Sequence, residues 1–212
     1  MTGELLQEIE ENLRKAAWLV ASAARDGRYN GVLFSSARRH EGATTTALGV
    51  AHQLTAHYGM RPLLVELDRL RPRLARRLGL DLPVDRGPRG AGPAGLPRLQ
   101  ETASGVSVLL AGTGPGADRE AAATLRSALA EVGSAFDVIL VDTPPVLERA
   151  CAVEAGAVIP RMILVVEAGR TPYGMLARVR SQLSTASIAI VGTVLNKHKR
   201  YTPRWIYQWV TT

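Results

Sequence analysis

Short runs of consecutive apolar residues, most of them stopping at a polar or acidic residue, constrain this chain more than any other feature. They are Gly31-Val-Leu-Phe-Ser-Ser36, Pro62-Leu-Leu-Val-Glu-Leu-Asp68, Val106-Ser-Val-Leu-Leu110, Val138-Ile-Leu-Val141 before Asp142, Met162-Ile-Leu-Val-Val166, and Ile188-Ala-Ile-Val191 with Val194-Leu195. A strand that is apolar on both sides is covered on both faces of its sheet. The intervals hold predicted helices at about Thr44 to Tyr58 and Asp118 to Val132, the second with Asp118 as N-cap and Glu120 in its first turn. Strands that alternate with helices make right-handed crossovers, so the pattern predicts an α/β fold with a mostly parallel central sheet flanked by helices. Ligands of such sheets sit beyond the carboxyl ends of the strands, which directs the search for chemistry to the residues where these runs stop.

Gly3 to Ala24 reads as an amphipathic helix, with Leu5, Leu6, Ile9, Leu13, Ala16, Ala17 and Val20 on one side and Glu8, Glu10, Glu11 and Arg14 on the other. Between Leu82 and Leu99, prolines and glycines alternate too densely for regular structure. Strands resume afterwards, so this reads as a surface loop within one domain of 1–212: a helical segment 1–30, a core 31–196 and a basic aromatic tail 197–212. With 46% hydrophobic and 21% charged residues, disorder and fibrous folds are excluded. A single cysteine, Cys151, excludes a disulfide framework and reads as a buried apolar filler. No apolar run reaches the length of a membrane helix, and the acidic N-terminal residues are unlike a signal peptide, so the expected location is cytoplasmic. The charge of +7 is carried by arginine, since Lys15, Lys197 and Lys199 are the lysines. Scattered arginines among alanine and glycine read as compositional bias, and no specific nucleic-acid binding is expected. His52 and His57 do not have metal-pair spacing and read as partly exposed.

The segment Ser35-Ser-Ala-Arg-Arg-His-Glu-Gly-Ala-Thr-Thr-Thr46 lies between a strand and a helix N-terminus, where amides and dipole attract anions. Its Glu41-Gly-Ala-Thr-Thr45 resembles the Gly-Glu-Gly-Lys-Ser/Thr-Thr loop of the bacterial tyrosine kinases that regulate capsule and exopolysaccharide synthesis, a branch of the deviant Walker-motif P-loop ATPases. Val65-Glu-Leu-Asp-Arg-Leu-Arg-Pro72 resembles that family's second acidic motif, and Phe136-Asp-Val-Ile-Leu-Val-Asp-Thr-Pro-Pro-Val146 its Walker B strand. Val165-Val-Glu-Ala-Gly-Arg-Thr171 and Gly192-Thr-Val-Leu-Asn196 resemble two later blocks, so the likeness spans residues 4 to 201. It implies a three-layer P-loop NTPase fold, ATP or ADP with Mg²⁺ as cofactor, and tyrosine kinase ancestry.

By the same resemblance, Arg38, Arg39, His40, Glu41, Gly42, Ala43, Thr44, Thr45 and Asn196 line the nucleotide. Glu66, Asp68 and Asp142 are the catalytic carboxylates, and Thr44, Asp68 and Asp142 hold the metal. The sequence departs from the family at decisive points. Ala43 stands where the lysine that reaches the β- and γ-phosphates belongs. His40 replaces a glycine, Ala37 stands at the first glycine of the generic loop, and Glu66 replaces an aspartate. Arg38 and Arg39 are the residues nearest in sequence that can supply the missing charge, and Arg38 aligns with the signature lysine of related positioning ATPases.

The family's ring-forming Glu-x-x-Arg-x-x-Arg pattern is present as Glu11 and Arg14, with Ala17 at the last arginine. The tail holds Tyr201 and Tyr207 and no tyrosine cluster. Its Trp205, Ile206, Trp209 and Val210 share one helical face, which either docks on a membrane surface or partner, or folds back on the core. The basic run Arg69 to Arg77 reads as a solvated helix face. The expected function is a cytoplasmic regulatory subunit of exopolysaccharide or capsule biosynthesis and export with impaired ATP turnover. Its expected partners are a membrane-bound polysaccharide co-polymerase and other copies of itself. The alternatives are an active ATP-dependent protein-tyrosine autokinase and a MinD/ParA-like positioning ATPase.

Overall fold

The computed structural model describes residues 3–23, 30–68, 70–80, 98–110 and 121–198. Among them the chain runs α1 (Gly3–Ala23), β1 (Gly31–Ser36), α2 (Ala43–Tyr58), β2 (Pro62–Glu66), α3 (Leu74–Leu78), β3 (Arg98–Glu101) and β4 (Ser107–Leu110). It continues through α4 (Ala121–Val132), β5 (Val138–Asp142), α5 (Cys151–Gly156), β6 (Arg161–Glu167), α6 (Tyr173–Thr185) and β7 (Ala189–Asn196). The strands form one sheet in the order β3-β4-β2-β5-β1-β6-β7. Every neighbouring pair is parallel except β3 with β4. The expected mostly parallel, helix-flanked α/β fold is borne out.

β1, β2 and β5 are buried along their whole length, as their unbroken apolar runs require. One face of the sheet is covered by α1, α2 and α3 through Ala17, Val20, Ala47, Val50, Leu54 and Leu74. The other is covered by α4, α5 and α6 through Leu125, Leu129, Ala152, Val179 and Leu183. Cys151 is buried in this structure, in keeping with its reading as an apolar filler. α1 and α2 approach so closely that a Cβ on Gly49 would meet Leu13 Cδ1 at 2.8 Å. Ala17, at the last position of the arginine pattern, is completely buried. Among the described residues no helix is long and apolar enough to cross a membrane.

The edge strand β3 was not expected, since 82–99 reads as irregular, and residues 81–97 lie outside the described part. Arg98–Glu101 returns antiparallel along β4 across a turn in which Thr102 N–H donates to the Val106 carbonyl at 2.9 Å and Gly105 takes φ +75°. A four-residue edge strand leaves no periodicity to read. Asp118 and the tail from Lys199 onward, with Tyr201, Trp205, Tyr207 and Trp209, also lie outside the described residues.

β1 lies between β5 and β6, so the order reverses beside it and opens a crevice at its carboxyl end. Asp142 is in register with Phe34 on one side and Glu66 on the other, which brings the ends of β1, β2 and β5 to one place.

Candidate functional site

The loop from Ala37 to Gly42 crosses the end of β1 and delivers the chain to α2. It is braced from inside by Glu41, whose Oε2 accepts from the Ala37 and Arg38 amides at 2.9 and 3.1 Å and whose Oε1 accepts from the Thr171 hydroxyl at 2.5 Å. His40 holds φ +69° and Gly42 φ +103°, so the loop makes left-handed turns at both, one of them at a residue that is not glycine. Histidine tolerates that region at a cost on the order of 1 kcal/mol. Asn196 Nδ2 donates to the Glu41 carbonyl at 2.8 Å and fixes the loop to the end of β7. Lys197 donates from Nζ to the His40 carbonyl and pairs with Glu167 at 3.3 Å. On the other flank, the Thr143 amide and hydroxyl both donate to the Phe34 carbonyl at 3.0 Å, and Ser35 Oγ donates to the Pro144 carbonyl at 2.8 Å. The Asp142-Thr-Pro-Pro145 segment is thereby zipped along the strand that feeds the loop.

Gly42 gives α2 no side-chain cap. The first-turn amides of this 16-residue helix, which lack intrahelical acceptors, therefore face a cavity of about 590 Å³. Of the residues expected at the site, Arg39, His40, Gly42, Ala43, Thr44, Thr45, Glu66, Asp68, Asp142 and Asn196 line this cavity. Arg38 and Glu41 are not among its lining residues, and the Glu41 carboxylate is turned into the loop. Arg39 spends its charge on Asp68, 3.3 Å from Nη1, and on Glu148, 2.5 Å from Nε.

The three carboxylates occupy different environments. Glu66 Oε1 accepts from the Arg73 and Leu74 amides at 2.5 and 2.6 Å, and Oε2 from Ala75 N–H at 3.2 Å, so this side chain caps α3. Burial raises its pKa and the three amides oppose the rise. Asp68 accepts from the Arg71 amide at 3.2 Å as well as from Arg39. Asp142 is hydrogen-bonded to the Thr44 side chain while its buried Oδ1 has no partner. Burial, with the charges of Glu66 and Asp68, pushes its pKa up to about 8.

Mg²⁺ commonly takes one or two carboxylates and completes its shell with water and phosphate oxygens. The orphaned Oδ1 of Asp142 beside the Thr44 hydroxyl fits a cation of that kind, shared with a phosphate. Among the described residues no group of three His, Cys, Asp or Glu is placed to hold a metal by itself.

The site also contains residues not expected there, among them arginines of the run 69–77 that was expected to be a solvated helix face. Arg73, Arg76 and Arg77 of the α3 region line the same cavity, as do Ser36, Thr143 and Lys197. Arg77 Nη1 donates to Thr45 Oγ1 at 2.6 Å. The basic run following Pro72 was the available signal, but a five-residue helix is too short for its pattern to tell which face meets a cavity.

No protein-family model matches the chain. The chain is 25% identical over 200 residues to tyrosine-protein kinase YwqD of Bacillus subtilis (strain 168), covering 90% of this chain and 84% of the relative. The BceF tyrosine kinase domain superposes with a TM-score of 0.72 at 26% identity, over 88% of this chain and 76% of that domain. A cobyrinic acid a,c-diamide synthase from Mycobacterium smegmatis, solved with a bound ATP analogue and magnesium, shares the fold alone. Its TM-score is 0.56 at 22% identity, over 77% of this chain and 71% of the synthase. The resemblance to the bacterial tyrosine kinases is borne out in both sequence and fold.

Proposed function

We propose that this relative of the bacterial tyrosine kinases is a cytoplasmic regulatory subunit of exopolysaccharide or capsule biosynthesis and export, with impaired ATP turnover. The observation that carries this is Ala43, a methyl group on the cavity wall at the position of the phosphate-binding lysine. Loss of one transition-state charge commonly costs a hundredfold or more in rate, about 3 kcal/mol. In this reading ATP or ADP would lie on the loop 38–45, with Asn196 holding the loop's far side, and Thr44, Asp68 and Asp142 would hold Mg²⁺. The ion would supply charge neutralisation to the phosphates. Glu66 acts by holding α3. A membrane-bound polysaccharide co-polymerase is the partner, with other copies of the chain and a contact of Trp205 and Trp209 with the membrane surface as further attachments.

A second reading, an active tyrosine autokinase, is favoured by the cationic side chains around the cavity. Complementation separates the two. In cells lacking the gene, the natural gene should restore polymer yield while the chain carries no phosphotyrosine, because regulation by binding needs no phosphoryl transfer. Phosphotyrosine on the chain, formed by the purified protein from ATP, would replace this reading with the catalytic one.

A further inference from the structure

The phosphate charge lost at Ala43 has a physical substitute that is absent from the loop itself. Five cationic side chains line the cavity among the described residues: Arg39, Arg73, Arg76, Arg77 and Lys197. Arg39 is neutralised by Asp68 and Glu148. Lys197 is held at the wall formed by the ends of β6 and β7, on the His40 carbonyl and Glu167. Arg77 is placed differently. Its guanidinium is anchored on Thr45, in the first turn of α2, where the uncapped amides converge. The neighbouring hydroxyl of Thr44 serves Asp142, a lining residue of the same cavity whose buried Oδ1 has no partner. Two consecutive threonines thus present a cation on one side and a metal-type acceptor on the other, which is the pair of groups that a polyphosphate bridges.

We infer that Arg77, reaching across from α3 to Thr45, takes over the binding of the nucleotide's phosphates from the missing loop lysine. The inference rests on the nucleotide site proposed above and adds the residue that makes it work. A guanidinium forks across two phosphate oxygens and needs no placement within the loop. Its anchor lies two residues beyond Ala43, at the helix flank, so it offers charge for bound phosphates without standing in the lysine's own place. Binding is kept and transfer is not.

Calorimetric titration of ADP, with and without Mg²⁺, tests this on the whole protein. Arg77→Ala should weaken ADP binding about ten- to a hundredfold, the usual loss for a hydrogen bond to a charged group, and Arg77→Lys should recover part of it. Adding Ala43→Lys to Arg77→Ala should restore most of the affinity. Arg61→Ala, which removes an equal charge from an exposed pair with Asp137, should leave affinity unchanged. If the natural protein binds ADP and Arg77→Ala binds equally well, the inference falls and the proposed function stands. If only the Ala43→Lys variant binds, the inference falls as well, because the rim cation then does not suffice. If the natural protein forms ADP from ATP as fast as Ala43→Lys, the proposed function itself fails.

Discussion

Glu66→Ala is expected to lower stability by about 3 kcal/mol, because it strips the acceptor from three backbone amides in the first turn of α3. Leu74 and Ala75, which own two of those amides, are completely buried, so water cannot take the place of the carboxylate. For a chain of this size the loss corresponds to a fall in Tm of roughly 6–12 °C. Glu66→Gln keeps one carbonyl acceptor for Arg73 and Leu74 but turns an NH2 against the buried Ala75 amide, and should cost roughly 1–2 kcal/mol. Glu66→Asp withdraws the acceptor by about 1.5 Å and should fall between the two. Thermal melts of the three variants provide the check. Equal melting of Glu66→Ala and the natural protein would show that the side chain is not the cap of α3. The long arm of glutamate is what reaches back to α3, which carries arginines of the cavity rim.

Gly42→Ala is expected to be the most damaging change in the loop. The residue sits at φ +103°, where an L side chain costs about 1–2 kcal/mol. A Cβ there also runs into Asn196 Nδ2, the atom that ties β7 to the Glu41 carbonyl. Displacing that amide forfeits roughly another 1 kcal/mol. The combined loss of about 2–3 kcal/mol lowers Tm by roughly 5–10 °C and moves the α2 amides away from the cavity. ADP titration and thermal melting should both register it. A variant that melts and binds like the natural protein would contradict the close packing of Asn196 on the loop.

The parts of this fold that were legible in the sequence are those whose chemistry is local. Val138 to Val141 announced a buried central strand because nothing polar interrupts it, and Asp142 announced its end. The positions of Gly42 and Thr44 followed from the strand-loop-helix order. What stayed hidden depends on partners distant in the chain. Glu41 was expected to line the nucleotide, yet the Ala37 and Arg38 amides and Thr171, on the loop after β6, draw its carboxylate into the loop. Arg39 reads as a free cation, yet Glu148 and Asp68, which consume its charge, arrive from two other strand ends. Arg77 reads as surface and is exposed; its reach to Thr45 depends on how the short α3 is set by Glu66. β3 was missed because the edge it completes belongs to β4 and not to its own sequence.

Ala43 is where the account is most exposed to measurement. The most direct test is the rate of ADP formation from ATP and Mg²⁺ under single-turnover conditions, compared between the natural protein and Ala43→Lys. The lysine, placed on the cavity wall two residues from the anchor of Arg77, should raise the rate about a hundredfold or more. A natural protein that forms ADP as fast as the variant would show that its cavity already neutralises the transferred phosphate, and the claim of a retained cradle with lost turnover would be wrong.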